Sequence, residues 1–378
     1  MKILPGFVVC CLFISPLFAQ DQSTVKFGKV SASEFNTENY RVDTSAHAIV
    51  VADIGYSEIV ANSKGSFSLQ YKRMRRVHIL DKVGYDAANV EIMLYTTDED
   101  EEKIQNLKAY TYNLENGKVV ETKFDKENLF KDKISKNLIA KKFTFPNIKE
   151  GSIIEYEYRI MSDFVFNLQP WEFQGKYPTL WSEYKVSLPQ FYYYMTFTRG
   201  YQLFNIQTQK DRTGNFLIKD NSTSGGGDFN STIADVRWVM KDVPALREES
   251  YTSTVKNHIA RIDFQLSELR EPFYPKNIIA DWSQATASLL KEERFGESLN
   301  KPNDWMSEEN RAVVKGASTN LDKAKNIFSY IRDNITCTDH SELYCDNSLK
   351  TVFQNKRGNV AEVNLLLTAM LLKNNITA

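Results

Sequence analysis

The chain has 378 residues, 42% of them hydrophobic, with 47 Lys plus Arg against 48 Asp plus Glu and a formal net charge of -1. That hydrophobic content excludes a disordered chain and is enough for two or three globular domains with ordinary cores. The balanced charge removes any electrostatic basis for nucleic acid or an anionic membrane as a partner.

Residues 1–20 carry Lys2, an apolar run from Phe7 to Ile14, and then Ser15-Pro16-Leu17-Phe18-Ala19-Gln20. This is the pattern of a secretory signal peptide cleaved near Ala19 or Gln20. No later apolar run reaches the roughly 18 residues of a membrane helix, so no transmembrane segment is expected and the mature protein reads as soluble and exported. Residues 21–48 read only as an N-terminal arm or edge strand. Between Ser66 and Leu80, apolar residues alternate with polar ones as in a half-buried strand. Its basic cluster Lys72, Arg73, Arg75 and Arg76 reads as a solvated strand face opposite the acidic run Asp98 to Glu102. Asn116-Gly117, between the alternating runs Ile104–Leu114 and Lys118–Phe124, marks a tight hairpin. Further short strands are expected at Phe143–Pro146, Ile153–Ile160, Trp181–Leu188, Phe191–Thr198, Phe204–Gln209, Phe216–Lys219, Val236–Met240 and His258–Leu266. The Gly225-Gly226-Gly227 stretch reads as a hairpin tip, since no strand and helix bracket it as a phosphate loop requires. Many short strands without a long helix indicate a β-sandwich, placed here at residues 49–270.

The segments Thr111-Tyr112-Asn113-Leu114-Glu115-Asn116-Gly117, Pro146 to Tyr156 and Trp171-Glu172-Phe173-Gln174 resemble an uncharacterised bacterial β-sandwich domain that commonly precedes a transglutaminase-like domain in exported proteins. The resemblance implies architecture, and a periplasmic or cell-surface location, better than it implies an activity.

Beyond Pro275 the periodicity becomes helical, at Ser283–Phe295, Ser307–Lys315 and Leu321–Ile335. The stretch from Asn355 to the end then runs through Gly358 into an apolar helix. Asn359 is a good N-cap, and Glu362 completes a capping box, so the helix is expected to start at Val360. Its apolar residues cover every side, which predicts a helix buried all round. This arrangement resembles the transglutaminase-like, papain-like fold, whose nucleophilic Cys opens such a helix and whose His and Asp follow on later strands. In this chain Val360 occupies the matching position, so the resemblance implies a degenerate nucleophile position and no catalytic residue. Residues 271–378 therefore read as the helical part of an incomplete α+β transglutaminase-like domain.

Cys337 and Cys345 are the cysteines outside the leader, with His340 between them. A disulfide is favoured in an oxidising compartment, with unpaired thiols next. A zinc site from Cys337, His340 and Cys345 lacks paired ligand spacing and a fourth ligand, and a Cys-His nucleophile lacks a third group to orient the base. No metal or cofactor is expected. Trp171, Trp181, Tyr192 and Tyr194 are candidate ligand-binding residues, as a stacking platform, although alternate aromatics are also needed for the core. The reading as a whole is an exported, non-catalytic binding protein for a peptide, cell-wall or polysaccharide ligand. The alternatives are a piece of a transglutaminase-like amide hydrolase or acyltransferase, and a glycan-binding sandwich.

Overall fold

The computed structural model describes residues 22–40, 42–135, 137–218, 227–247, 254–278, 281–340 and 342–377. The expected signal peptide lies outside the described residues, as do Gly225 and Gly226.

The strands, in chain order, are β1 (Ala48–Ala61), β2 (Phe67–Ile79), β3 (Asn89–Tyr95), β4 (Lys103–Glu115), β5 (Lys118–Lys123), β6 (Phe130–Ser135), β7 (Leu138–Thr144), β8 (Ile153–Ser162), β9 (Trp171–Glu172), β10 (Thr179–Pro189), β11 (Tyr192–Arg199), β12 (Ile206–Ile218), β13 (Gly227–Val243), β14 (Arg261–Leu269) and β15 (Lys276–Asn277). Eight of them form one sheet in the order β12-β13-β10-β1-β2-β8-β4-β5. A three-stranded sheet, β3-β7-β6, and a four-stranded one of β11, β14, β15 and β9 form the second layer. The core joins these layers: Val50, Val77, Ile154 and Tyr184 of the large sheet pack in one cluster with Ile92 and Phe143 of the three-stranded sheet and with Trp171 and Ile262 of the four-stranded one. The strand-rich region is thus a sandwich whose second layer is split in two.

The Asn116-Gly117 hairpin forms as expected, with both residues at positive φ (50° and 77°), the conformation a two-residue turn between twisted strands requires. β1 is the principal departure from expectation. The sequence placed only an arm or edge strand up to residue 48, with a weak reading continuing to about Ile54. The strand found there is central, parallel to β10 on one side and antiparallel to β2 on the other. Trp171 fills the layer above it, stacked on Tyr184 at 4.9 Å between centroids. Gly55 makes room for that stack: a Cβ there would lie 2.3 Å from the Trp171 ring and 2.8 Å from that of Tyr184.

The basic cluster of β2 is likewise not a solvated face. Successive strand residues point to opposite sides, so Arg73 and Arg75 face the sandwich interior and Arg76 the other side. Arg73 holds Asp53 through two bonds of 2.8 and 2.6 Å and lies 5.0 Å above the Trp171 ring. Arg76, 1% exposed, is fixed by Glu155 at 2.7 and 3.0 Å and by Glu34 at 2.5 Å. The segment carrying Glu34 crosses this outer face as a strap: Arg76 also donates to the carbonyls of Lys26 and Lys29, and the Gly28 N–H donates to Glu155. The partners are therefore Asp53, Glu34 and Glu155 rather than the run at 98–102.

Under the same strap, His78 is buried beside Phe35 and meets the Tyr40 hydroxyl at 2.9 Å through Nδ1. Burial pushes its pKa down to about 4 from an ordinary 6.5, against a smaller opposing effect of the Gly151 backbone. A depressed base binds fewer protons in the folded than in the unfolded chain between those values, so stability is lost as pH falls from about 6.5 towards 4. The shift corresponds to about 3 kcal/mol. Urea unfolding at pH 7 and pH 4.5 is expected to show a loss of that order in the wild type and a much flatter dependence in His78→Gln. Parallel profiles would rule out His78 as the source.

The remaining elements are helical: α1 (Trp282–Lys291), α2 (Glu297–Asn300), α3 (Ser307–Val313), α4 (Asn320–Asn334), α5 (Leu349–Asn355) and α6 (Val360–Leu372), with two short strands, β16 (Thr336–Cys337) and β17 (Arg357–Gly358), paired in parallel. Ile327 and Ile331 of α4, Leu349 and Val352 of α5 and Leu365, Leu366, Ala369 and Met370 of α6 make a separate core. α6 is not buried all round: Val360, Val363, Leu367 and Leu371 are only half-buried and Leu372 is exposed. Among the described residues no helix is long and apolar enough to cross a membrane.

Candidate functional site

The N-terminus of α6 is built by two residues that lock each other. Asn359 caps the helix by accepting the Glu362 N–H at 3.0 Å, and Glu362 accepts the Asn359 N–H at 2.8 Å. Glu362 is 1% exposed, and its second oxygen reaches beyond the box. It accepts the backbone N–H groups of Asp346 and Asn347 at 2.9 and 2.6 Å and the Asn347 side-chain amide at 3.2 Å. Asn359 adds a bond to the Tyr344 carbonyl at 3.0 Å. The capping box therefore also clamps the 344–347 loop. Gly358 has to be glycine, since a Cβ would meet Glu362 Oε2 at 2.7 Å and Val352 Cγ1 at 2.8 Å.

Val360, half-buried, is the first residue of α6, the position at which an introduced thiol would feel the helix N-terminus. Its own side chain offers neither a lone pair nor a proton. Its N–H donates to the Asp339 carbonyl at 2.8 Å, so the 338–340 loop already covers the amide that opens the helix. Among the described residues after Leu372 there is no His or Asp.

Cys337 and Cys345 are unpaired in this structure, which does not show the expected disulfide. Their backbones are held by different elements. Cys337 pairs with Gly358 across β16 and β17, whereas the Cys345 N–H donates to the Arg294 carbonyl and its side chain packs in the helical core. Burial, followed by the nearby Glu362 charge, pushes the Cys345 thiol up to about 11. Cys337 Sγ instead lies 3.5 Å from His340 Nδ1 and 3.3 Å from the Asp339 carbonyl. Among the described residues no three His, Cys, Asp or Glu side chains are grouped to hold a metal.

The aromatic platform is not formed. Trp171, Tyr192 and Tyr194 are 1%, 6% and 8% exposed and belong to the sandwich cores, so none offers a ring face for stacking. Burial pushes the Tyr192 hydroxyl up to about 12. Trp181 is half-buried, donates to Glu183 at 3.0 Å and has the Lys241 ammonium 5.1 Å from its ring.

A cleft that the sequence did not indicate separates the end of β6 from the helical part. It encloses about 980 Å³ between Lys133, Ile134 and Ser135 on one side and Arg294, Asn303, Trp305 and Asn347 on the other. Arg294 spans it, donating to the Cys345 carbonyl at 2.8 Å, to Asp346 at 2.8 Å and to Asn137 at 3.4 Å. Trp305 forms a half-buried aromatic wall, backed by Phe353 at 5.2 Å and oriented by its N–H to Asn303 at 3.2 Å. Lys301 and Lys350 line the rim. The lining comes from segments far apart in the chain, so no local spacing announces it.

Residues 66–246 match the family model of a domain of unknown function with a solved structure, DUF3857, and residues 308–378 match the transglutaminase-like superfamily. No curated protein matches. A solved structure from Parabacteroides distasonis ATCC 8503, described as a candidate protease, is 13% identical with a TM-score of 0.55, over 88% of this chain and 59% of that one. That likeness shows the fold, and the chain spans 59% of the neighbour's length. A candidate nutrient-binding protein from Legionella pneumophila covers 87% of this chain and 94% of its own at 8% identity, but its TM-score of 0.23 carries no argument. The split sandwich thus matches the DUF3857 model over residues 66–246, and the segment holding the helix opened by Asn359 and Val360 matches the transglutaminase-like superfamily.

Proposed function

We propose that this is an exported binding protein that uses the transglutaminase-like scaffold without acyl-transfer chemistry at position 360. One observation carries the reading: where the family's nucleophile would open the helix stands Val360, whose N–H is already satisfied by the Asp339 carbonyl. Such a position can neither attack a carbonyl nor offer its amide to a developing oxyanion. Binding is assigned to the cleft beside β6. Trp305 supplies an apolar ring, while Asn303, Asn347 and Ser348 supply neutral hydrogen-bonding groups, and Lys301 and Lys350 stand beside Glu293, Asp304 and Asp346 in a lining of mixed charge. That mixture suits a peptide or a saccharide, as in cell-wall fragments. A calorimetric screen of peptides, peptidoglycan fragments and polysaccharides is expected to find a ligand whose affinity drops about tenfold or more in Trp305→Ala. Binding that ignores Trp305, or turnover of peptide substrates by the wild type, would overturn the proposal.

A further inference from the structure

The two free thiols among the described residues stand in opposite situations, and one of them has a base beside it. Cys345 is 7% exposed, inside the helical core. Cys337 is half-buried, at the start of a loop whose next three residues, Thr338, Asp339 and His340, are exposed. Its sulfur has two proton acceptors in reach, the Asp339 carbonyl at 3.3 Å and His340 Nδ1 at 3.5 Å. Asp339 in turn fixes the loop, because its carbonyl accepts the Val360 N–H at 2.8 Å and the Thr338 N–H donates to Gly358 at 2.8 Å. The sulfur therefore shares an acceptor with the first amide of α6, at the end of the helix where negative charge is stabilised. His340 is three residues along an exposed loop and free of any requirement to fill a core.

We propose that Cys337 and His340 form a thiol exchange site, at which Cys337 takes up a small-molecule disulfide as a mixed disulfide while Cys345 stays unmodified. The step balances without an oxidant. His340 Nδ1 takes the Cys337 proton, and the sulfur lone pair attacks one sulfur of the disulfide. The S–S bond breaks, and the departing thiolate receives the proton from the imidazolium, so one disulfide is consumed and one formed. Neutral His340 then carries its remaining proton on Nε2. Small disulfides fit because Thr338, Asp339 and His340 beside the sulfur are exposed, so access decides the reaction.

The test treats the mature chain, without the expected signal peptide that carries Cys10 and Cys11, with oxidised glutathione over pH 6 to 9.5, followed by intact mass and peptide mapping, for wild type, Cys337→Ser, Cys345→Ser and His340→Ala. A single glutathione adduct on Cys337 is expected in the wild type and in Cys345→Ser, and none in Cys337→Ser. His340→Ala should react about fivefold more slowly at pH 7 and converge with the wild type above pH 9, where hydroxide ionises any exposed thiol unaided. A structural role for His340 would not produce that convergence. Adducts on Cys345 at a comparable rate, no rate difference between His340→Ala and wild type at pH 7, or an internal Cys337–Cys345 disulfide in place of the adduct would each overturn it. Circular dichroism of each variant separates misfolding from loss of reactivity.

Discussion

Replacing Arg76 by alanine is expected to destabilise the sandwich by about 3 to 5 kcal/mol, the range found when one partner of a buried ion pair is removed. The reason lies in what is left behind. Glu155 is 0% exposed and would keep one of these three hydrogen bonds, that from the Gly28 N–H, since the other two come from Arg76. Glu34 and the carbonyls of Lys26 and Lys29 lose their shared donor at the same moment. The strap should therefore detach, which limited proteolysis of residues 22–40 would detect alongside a shifted denaturation midpoint. The deficit should also depend on pH. Burial already holds the Glu155 carboxyl above its usual range, with Gly28 and Arg76 opposing it. Without Arg76 its pKa rises further, so protonation relieves the charge and the variant should recover part of its loss between pH 8 and pH 5. A deficit below 1 kcal/mol with an intact strap would contradict this account.

Glu362→Ala is expected to cost about 3 kcal/mol in the helical part, since the buried Asn359 N–H loses its acceptor and the cap loses its reciprocal half. The Asp346 and Asn347 amides lose the same partner, so the 344–347 loop should loosen with the helix start. Glu362→Gln keeps the shape and one acceptor oxygen and should recover part of the loss. Hydrogen exchange is the discriminating measurement. Faster exchange at Asn359 together with Asp346 and Asn347 supports a single clamp, whereas a change confined to α6 would mean that the loop is held by other contacts.

How much of this was legible in the sequence depends on how local each determinant is. The Asn359 to Glu362 box and the Asn116-Gly117 turn lie within four residues, and both formed as read. β1 was missed because its buried face carries Asp53, Gly55 and Ser57 while Ile54 and Tyr56 lie half-buried on the other, which hides the hydropathy alternation: Gly55 and Ser57 are chosen by the Trp171 and Tyr184 rings above them, which no nearby residue reveals. The same reason misplaced Arg76, whose environment is set by Glu155 on β8 and by the strap. Trp171, Tyr192 and Tyr194 met the reservation noted with them, because the core needs those rings, while Trp181 stays half-buried outside it. The disulfide reading weighed loop length and compartment; the hold of Glu362 on the Asp346 and Asn347 amides, some fifteen residues back in the chain, had no local signature. The cleft gathers residues from both halves of the chain and had no sequence signature.

The position of β1 also sets an order of events as the chain is made or unrolled. β1 and β2 form a local hairpin and can pair once Ile79 is available. The other side of β1 must wait for β10, where Val50 lies opposite Thr179 and Glu58 opposite Ser187. Until then a central strand carries a bare row of N–H and C=O groups, the arrangement that recruits strands from other molecules. Such long-range parallel closure is intrinsically slow. The fold is therefore most vulnerable to self-association in the interval between completion of its first hairpin and arrival of its tenth strand.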